Sequence, residues 1–358
     1  MGTISGRTLE QLAPAEWQRA ALENSLFGGL TPAQAGALVQ ALRDSGESVA
    51  VVGDGVTDLP ALQQASLAIN QAIDAGITLI DTAEVYGPRH SEEILGKALG
   101  GRRKEVVLVT KVGFNVDENN VNQGRDSSPQ TILTHAEGCL QRLQTDYVDL
   151  LLIHWPDHKT PYEDVIGALE SLKQAGKIRH YGVSNYTVEM MQACEAVGHL
   201  SANQVGYNLL DRRMEREVIP FCQANGIGYM AYGSLAFGLL AGAFTPETTF
   251  VDWDWRSKGD AFGLPLFERQ AFLRTLKAVE RLKSLAADSA HSVAQLALAW
   301  VLSNPAITVG LVGIRNPHEL HENVAAAEWK LSEAEREEID RIFEQEGVPT
   351  YRDAPQAT

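Results

Sequence analysis

From about residue 48 onward the apolar positions fall into two alternating kinds of run. Short β-branched or leucine-rich stretches recur at Ser48–Val52, Thr78–Asp81, Glu105–Lys111, Val148–Ile153, Arg179–Val183, Ala202–Val205, Gly228–Ala231 and Thr308–Val312. Several, such as Val106–Val109 and Leu150–Ile153, are continuously apolar rather than alternating. Strands covered on both faces read this way, which favours a parallel sheet clothed by helices. The intervening segments carry helical spacing, with Ile132, Ala136, Cys139, Leu140 and Leu143 on one face and Phe272, Leu276, Val279, Leu282 and Leu285 on another. Eight strands with helices between them predict an α/β fold, a (β/α)₈ TIM barrel. An open doubly wound sheet satisfies the same pattern.

Ahead of the barrel, helices are expected at Pro14–Asn24 and Thr31–Ser45, and a last helix over residues 331–345. The resulting division is an N-terminal helical appendage at 1–46, a barrel at 47–346 and a loose tail at 347–358. The longest irregular segment, Phe244–Pro265, follows the seventh strand and contains Trp253 and Trp255. A loop of that length at that place reads as a lid over a site.

Charge narrows the partners. Asp and Glu outnumber Lys and Arg by 46 to 30, a formal net charge of −16, and such a field repels nucleic acid and anionic membranes. An anionic cofactor would need local positive groups. The three cysteines, Cys139, Cys194 and Cys222, have neither disulfide nor metal spacing. No signal-peptide core lies in residues 1–30 and no stretch is long and apolar enough for a bilayer, so a cytoplasmic protein is expected. Nothing in the sequence fixes an oligomeric state.

Four polar residues fall at or just past the carboxyl ends of three successive strands: Asp81, Tyr86, Lys111 and His154. In a barrel those ends converge on one face, where such enzymes keep their active sites. The residue types suit carbonyl reduction. Hydride delivery to a carbonyl carbon builds negative charge on oxygen, so a proton donor must sit beside that oxygen. A free tyrosine keeps its proton up to a pH of about 10. A nearby ammonium such as Lys111 would stabilise the phenolate, Asp81 would fix the lysine, and His154 would hydrogen-bond the substrate oxygen. Taken singly, each has a plainer role: a helix cap, a boundary tyrosine, a solvated lysine, a packed turn histidine. Their joint placement at strand ends favours the chemical one.

Asp81-Thr-Ala-Glu-Val-Tyr86-Gly followed by His90-Ser-Glu-Glu-Ile-Leu-Gly resembles the first signature of the aldo-keto reductase family. Leu108-Val-Thr-Lys111-Val, Val148-Asp-Leu-Leu-Leu-Ile-His154-Trp-Pro and Gly182-Val-Ser-Asn185-Tyr resemble further segments, and the resemblance runs from about Gln71 to Phe343. It implies a tetrad of Asp81, Tyr86, Lys111 and His154 with Tyr86 as general acid. It also implies that Ser184, Asn185 and Gln204 bind the nicotinamide carboxamide and that Tyr232 stacks on the ring. Ser234, Leu235, Gly238 and Leu240 would wrap the pyrophosphate. Gly313, Arg315, Glu322 and Asn323 would meet the adenosine half. Arg315 would hold a 2′-phosphate and favour NADPH; Glu319, where the family more often has Gln or Arg, would weaken that preference and leaves NADH as the alternative. Trp155 and Phe237, with the Trp253–Trp255 loop, suggest an apolar wall for a small-molecule carbonyl substrate. No metal is implied.

The opening of the chain resembles something else. Ile4-Ser-Gly-Arg-Thr-Leu-Glu, Leu30-Thr-Pro-Ala-Gln and Val49-Ala-Val-Val-Gly-Asp54-Gly-Val-Thr57-Asp58-Leu-Pro-Ala-Leu62 are similar to the later part of a P-type ATPase phosphorylation domain, a haloacid-dehalogenase-like fold. The phosphorylated Asp-Lys-Thr-Gly-Thr motif is missing, so phosphoryl transfer is not expected. The segment would instead supply the first strand and helix of the barrel, which requires Ser66–Asn70 to be helical and puts Asp54 and Thr57 on the active face. Two other functions fit the same residues: a nicotinamide-sensing binding subunit, and a recombinant barrel whose altered first strand has impaired the pocket.

Overall fold

The computed structural model describes residues 2–5, 24–28, 68–87, 89–116, 122–252, 254–314 and 317–356. Its main sheet has seven parallel strands: β3 (Leu79–Asp81), β4 (Val107–Val112), β7 (Val148–Ile153), β8 (Ile178–Ser184), β9 (Ala202–Gly206), β10 (Gly228–Tyr232) and β11 (Ile307–Gly310). They are hydrogen-bonded in chain order from β3 to β11. Seven of the eight expected strands are therefore present, and the eighth, Ser48–Val52, lies outside the described residues. Residues 68–74 are helical, in keeping with the requirement placed on Ser66–Asn70, of which 66–67 are not described.

Helices follow the strands as the spacing requires: α1 (His90–Leu99), α2 (Pro129–Arg142), α3 (Tyr162–Gln174), α4 (Val188–Glu195), α5 (Val218–Asn225), α6 (Arg269–Asp288), α7 (Val293–Leu302), α8 (Pro317–Ala325) and α9 (Glu333–Glu346). Local chemistry sets their starts. Ser128 caps α2 with Pro129 in the first turn, and Ser292–Gln295 and Ser332–Glu335 form capping boxes on α7 and α9.

Side chains alternate between two layers along the strands. Val109, Leu150, Leu152, Ala202 and Met230 form one buried cluster, with Leu79, Val309 and Leu311 packed on it. The intervening residues Leu108, Leu151, Ile153, Tyr181, Val183, Val205 and Tyr229 belong to the larger cluster shared with the helices. The smaller cluster is the inner face of the sheet. Gly182 is required there: a Cβ at that position would lie 2.3 Å from the Ala202 carbonyl oxygen and 3.0 Å from Leu152.

Asp149, near the start of β7, is the exception in an apolar strand. It pairs with Arg103 at 2.8 Å and Arg179 at 3.0 Å and accepts the Leu108 N–H at 2.9 Å. Both guanidinium groups lie over the Tyr147 ring. This polar lock is at the amino ends of the strands, away from the face that carries the chemistry.

Several expectations are corrected. The described parts of 1–46 are two parallel strands, β1 (Gly2–Ser5) and β2 (Asn24–Gly28), where no strand was expected; the helices expected at 14–24 and 31–45 lie outside the described residues except for Asn24, which begins β2. Glu105 ends a 3₁₀ turn over Gly100–Glu105, and Leu311 and Val312 fall beyond β11. A short antiparallel hairpin, β5 (Phe114–Val116) with β6 (Asn122–Arg125), lies beyond β4 where no strand was expected. The C-terminal segment is not loose. Thr350 and Pro355 accept hydrogen bonds from the Arg212 N–H and the Arg213 guanidinium, and Gln356 donates to the Tyr186 carbonyl.

Candidate active site

The alternation that fills the inner face also selects the residues at its upper end. Two positions beyond the inward Leu79, Val109 and Leu152 stand Asp81, Lys111 and His154, and the same step leads from Ala202 to Gln204 and from Met230 to Tyr232. The side chains expected at the strand ends thus share one layer.

Lys111 is its centre. Its side chain is fully buried and its ammonium donates to Asp81 Oδ2 at 2.5 Å, the Thr82 carbonyl at 2.9 Å and the Tyr86 hydroxyl oxygen at 3.3 Å. An ammonium has three donors and no acceptor, so all three are used. At the last contact the tyrosine oxygen can only accept, which leaves the phenolic proton free to point at a substrate. Tyr86 is 40% exposed, unusual for a group whose partner is so deeply buried. Gln204 donates to the second Asp81 oxygen at 2.8 Å, so the carboxylate is tied at both ends.

His154 packs edge-on against Tyr86, with ring centroids 5.6 Å apart, and against Phe114 at 5.2 Å. Burial, reinforced by the charges of Lys111 and Arg125, lowers its pKa to about 3. The imidazole is therefore neutral at physiological pH, and its Nδ1 is buried without a hydrogen-bond partner among the described residues.

The turn that carries Tyr86 is pinned from below. Glu84, buried, pairs with His135 at 2.7 Å, Arg89 at 3.3 Å and Arg142 at 3.4 Å. Burial alone would raise its pKa, but the His135 contact and the cations outweigh it and hold the group below the usual range. Glu92, also buried, takes Thr110 at 2.6 Å and Arg142 at 2.7 Å. Neither acid was singled out in the sequence.

The neighbouring residues fit a nicotinamide dinucleotide. Asn185, held at a left-handed φ of 64°, donates to the His154 carbonyl and to Ser184 Oγ, and accepts from the Tyr232 hydroxyl at 2.9 Å. Ser184 donates to the Gln204 carbonyl. These bonds fix the Tyr232 ring and a set of amide groups at the same mouth. Ser234 ties its loop to the end of β11 through the Leu311 carbonyl at 2.9 Å. Ala236, Phe237 and Gly238 all have positive φ, of 47°, 57° and 104°. Such strain in non-glycine residues is retained where a loop must be held in one shape. Leu235 and Leu240 pack into the core, and the N–H groups of Gly238 and Leu240 both donate to the Leu235 carbonyl. Gly313 has open space about it, and Glu322 and Asn323 lie on α8. Arg315, Asp54 and Thr57 lie outside the described residues.

An aromatic wall borders the layer. Trp155 stacks on Phe262 at 6.2 Å, and Phe262 also meets Tyr232 at 5.6 Å and Phe237 at 5.3 Å. Trp255 closes on Phe237 at 5.2 Å. Arg256, paired with Asp254, donates to the Phe237 carbonyl and so fastens the Phe244–Pro265 loop to the loop after β10. Trp155 and Phe237 were expected here; Phe114 and Phe262 were not, and Trp253 is not among the described residues. The Phe262-Gly263 pair in a lid segment was the available signal. The Phe262 carbonyl is held by Arg213, whose other nitrogens grip Asp211 at 2.8 Å.

A parallel α/β barrel sheet with an Asp–Lys–Tyr contact and a neutral histidine at its carboxyl end defines an oxidoreductase class of site, and comparison with known proteins agrees. The pattern of the Aldo/keto reductase family matches residues 55–344. The chain belongs to this family. It is 40% identical to "Aldo-keto reductase YhdN" of Bacillus subtilis (strain 168) over 279 residues, 77% of this chain and 82% of that protein. With the "NADH-specific methylglyoxal reductase" of Escherichia coli (strain K12) it shares 34% identity over 279 residues, 75% of this chain and 83% of the relative. A solved aldo/keto reductase from Klebsiella pneumoniae, in complex with NADP and acetate, superposes with a TM-score of 0.63 at 30% identity, covering 82% of this chain and 89% of that one.

Proposed function

We propose that this chain reduces aldehydes or ketones to alcohols with NADPH as reductant and Tyr86 as the proton donor. The observation that carries the reading is the buried Lys111 ammonium, bonded at once to Asp81 and to the Tyr86 oxygen. When bound, the dinucleotide supplies hydride to the carbonyl carbon. The chain's own residues do the rest. Tyr86 delivers its free proton to the carbonyl oxygen, and the ammonium 3.3 Å away stabilises the phenolate that remains. Asp81, tied by Gln204, keeps the ammonium in place. His154, neutral, orients the same oxygen through a ring N–H. Ser184, Asn185, Gln204 and Tyr232 are the residues that would hold the nicotinamide. Ser234, Leu235, Gly238 and Leu240 would follow the pyrophosphate, and Gly313, Arg315, Glu322 and Asn323 the adenosine half. Trp155, Phe237 and Phe262 exclude water over the reacting atoms.

The similarity to an NADP complex and to a relative named NADH-specific supports both dinucleotides as ligands, with Arg315 favouring NADPH and Glu319 opposing it. The test is oxidation of NADPH and of NADH, followed by absorbance, with a panel of aromatic and aliphatic aldehydes. Turnover is expected, faster with NADPH; no turnover with any aldehyde and either cofactor would overturn the reading.

A further inference from the structure

Arg125 stands beside the site without an acidic partner among the described residues. The hairpin β5–β6 sets it directly opposite Phe114, so the two side chains leave the same face. Phe114 meets the His154 ring edge at 5.2 Å, and the Arg125 guanidinium lies over the adjacent Trp155 ring, 4.4 Å from its centroid. One of its nitrogens donates to the Pro156 carbonyl at 3.3 Å. Among the described residues no carboxylate pairs with it, in contrast to Arg142 and Arg256 in the same region. Its pKa is lowered by burial alone, with no acid to offset that cost. Its charge is also close enough to help keep His154 neutral. A guanidinium presents five N–H donors in a fixed fork, and stacking on an indole orients that fork while leaving most of it unused. In a chain of net charge −16 a half-buried cation without a counter-ion is costly.

We propose that Arg125 holds the carboxylate of an oxo-acid substrate, an aldehyde or ketone that carries a carboxylate at its far end while its carbonyl lies at Tyr86 and His154. The planar carboxylate matches the guanidinium fork in two parallel N–H···O bonds, and the aromatic wall of Trp155 and Phe262 receives the linking carbons. This deepens the reductase reading and rests on it.

The test pairs 4-carboxybenzaldehyde with its neutral near-isostere 4-formylbenzamide in the wild type, Arg125→Gln and Arg125→Lys, with NADPH. The ratio of the two KM values, acid over amide, should rise about 10- to 100-fold in Arg125→Gln and partly recover in Arg125→Lys. A ratio that does not move, with both substrates affected alike, would reduce Arg125 to a support for the Trp155 loop and overturn the proposal. Calorimetric titration of the NADPH-loaded protein with benzoate and with benzamide needs no turnover. Preference for benzoate that disappears in Arg125→Gln supports the anion site even if neither aldehyde is reduced, in which case the reductase reading alone has failed. Equal binding of the two by the wild type contradicts the proposal.

Discussion

His154 makes stability depend on pH in a way that can be calculated. Its pKa falls from 6.5 to about 3 on folding, chiefly through burial and further through Lys111 and Arg125. Between those values the unfolded chain holds a proton on this residue that the folded chain does not. The folded state is therefore favoured above pH 6.5 and loses stability as pH falls. The slope is about 1.4 kcal/mol per pH unit below 6.5 and the loss totals about 5 kcal/mol by pH 3. Other acids titrate over the same range, Glu84 among them, so the term is isolated by difference. Urea denaturation of the wild type and His154→Gln at pH 7.5, 6, 5 and 4 would measure it. Their stability difference should shrink by about 1.4 kcal/mol for each unit below 6.5. A difference that stays flat from pH 7.5 to 4, or a His154 resonance titrating near 6.5, would refute both the buried neutral imidazole and the hydrogen-bonding role built on it.

Two further perturbations act on the same layer. Lys111→Met leaves the Asp81 carboxylate with Gln204 as its remaining partner and breaks a buried ion pair; the expected cost is about 3–5 kcal/mol in denaturant unfolding, with carbonyl reduction reduced even in the folded fraction. An unchanged urea midpoint would show that the pair contributes nothing to the fold. Gly182→Ala places a Cβ 2.3 Å from the Ala202 carbonyl and should cost about 1–3 kcal/mol by forcing β8 and β9 apart, read as a lowered melting temperature; a neutral effect would mean that the inner face is more compliant than its packing implies.

How far the sequence led can be judged residue by residue. The strands were legible because parallel strands buried on both sides are continuously apolar, as β4 and β7 are, with burial to match. Asp81, Lys111 and His154 were legible because a polar residue ending such a run has nowhere to go but the open end of the sheet. Gln204 was placed with the cofactor residues, yet its amide donates to Asp81; a partner 123 positions away leaves no local trace. Phe114, Arg125 and Phe262 reach the site from a hairpin and a lid, whose three- and four-residue strands and isolated bridge carry too little periodicity to read. Glu84 and Glu92 show no local sign of burial, because their partner Arg142 lies fifty or more positions further along the chain. The C-terminal segment has an unremarkable composition, and only Arg212 and Arg213 explain why it is clamped.

The most direct test of the central claim is Tyr86→Phe, assayed for cofactor binding and aldehyde reduction side by side. The substitution removes one oxygen from a side chain that is 40% exposed, so the fold and the dinucleotide affinity should be unchanged. Carbonyl reduction should fall by a factor of about 10² or more. Turnover equal to that of the wild type would remove Tyr86 from the chemistry and, with it, the proton-transfer role proposed for the Asp81–Lys111–Tyr86 contact.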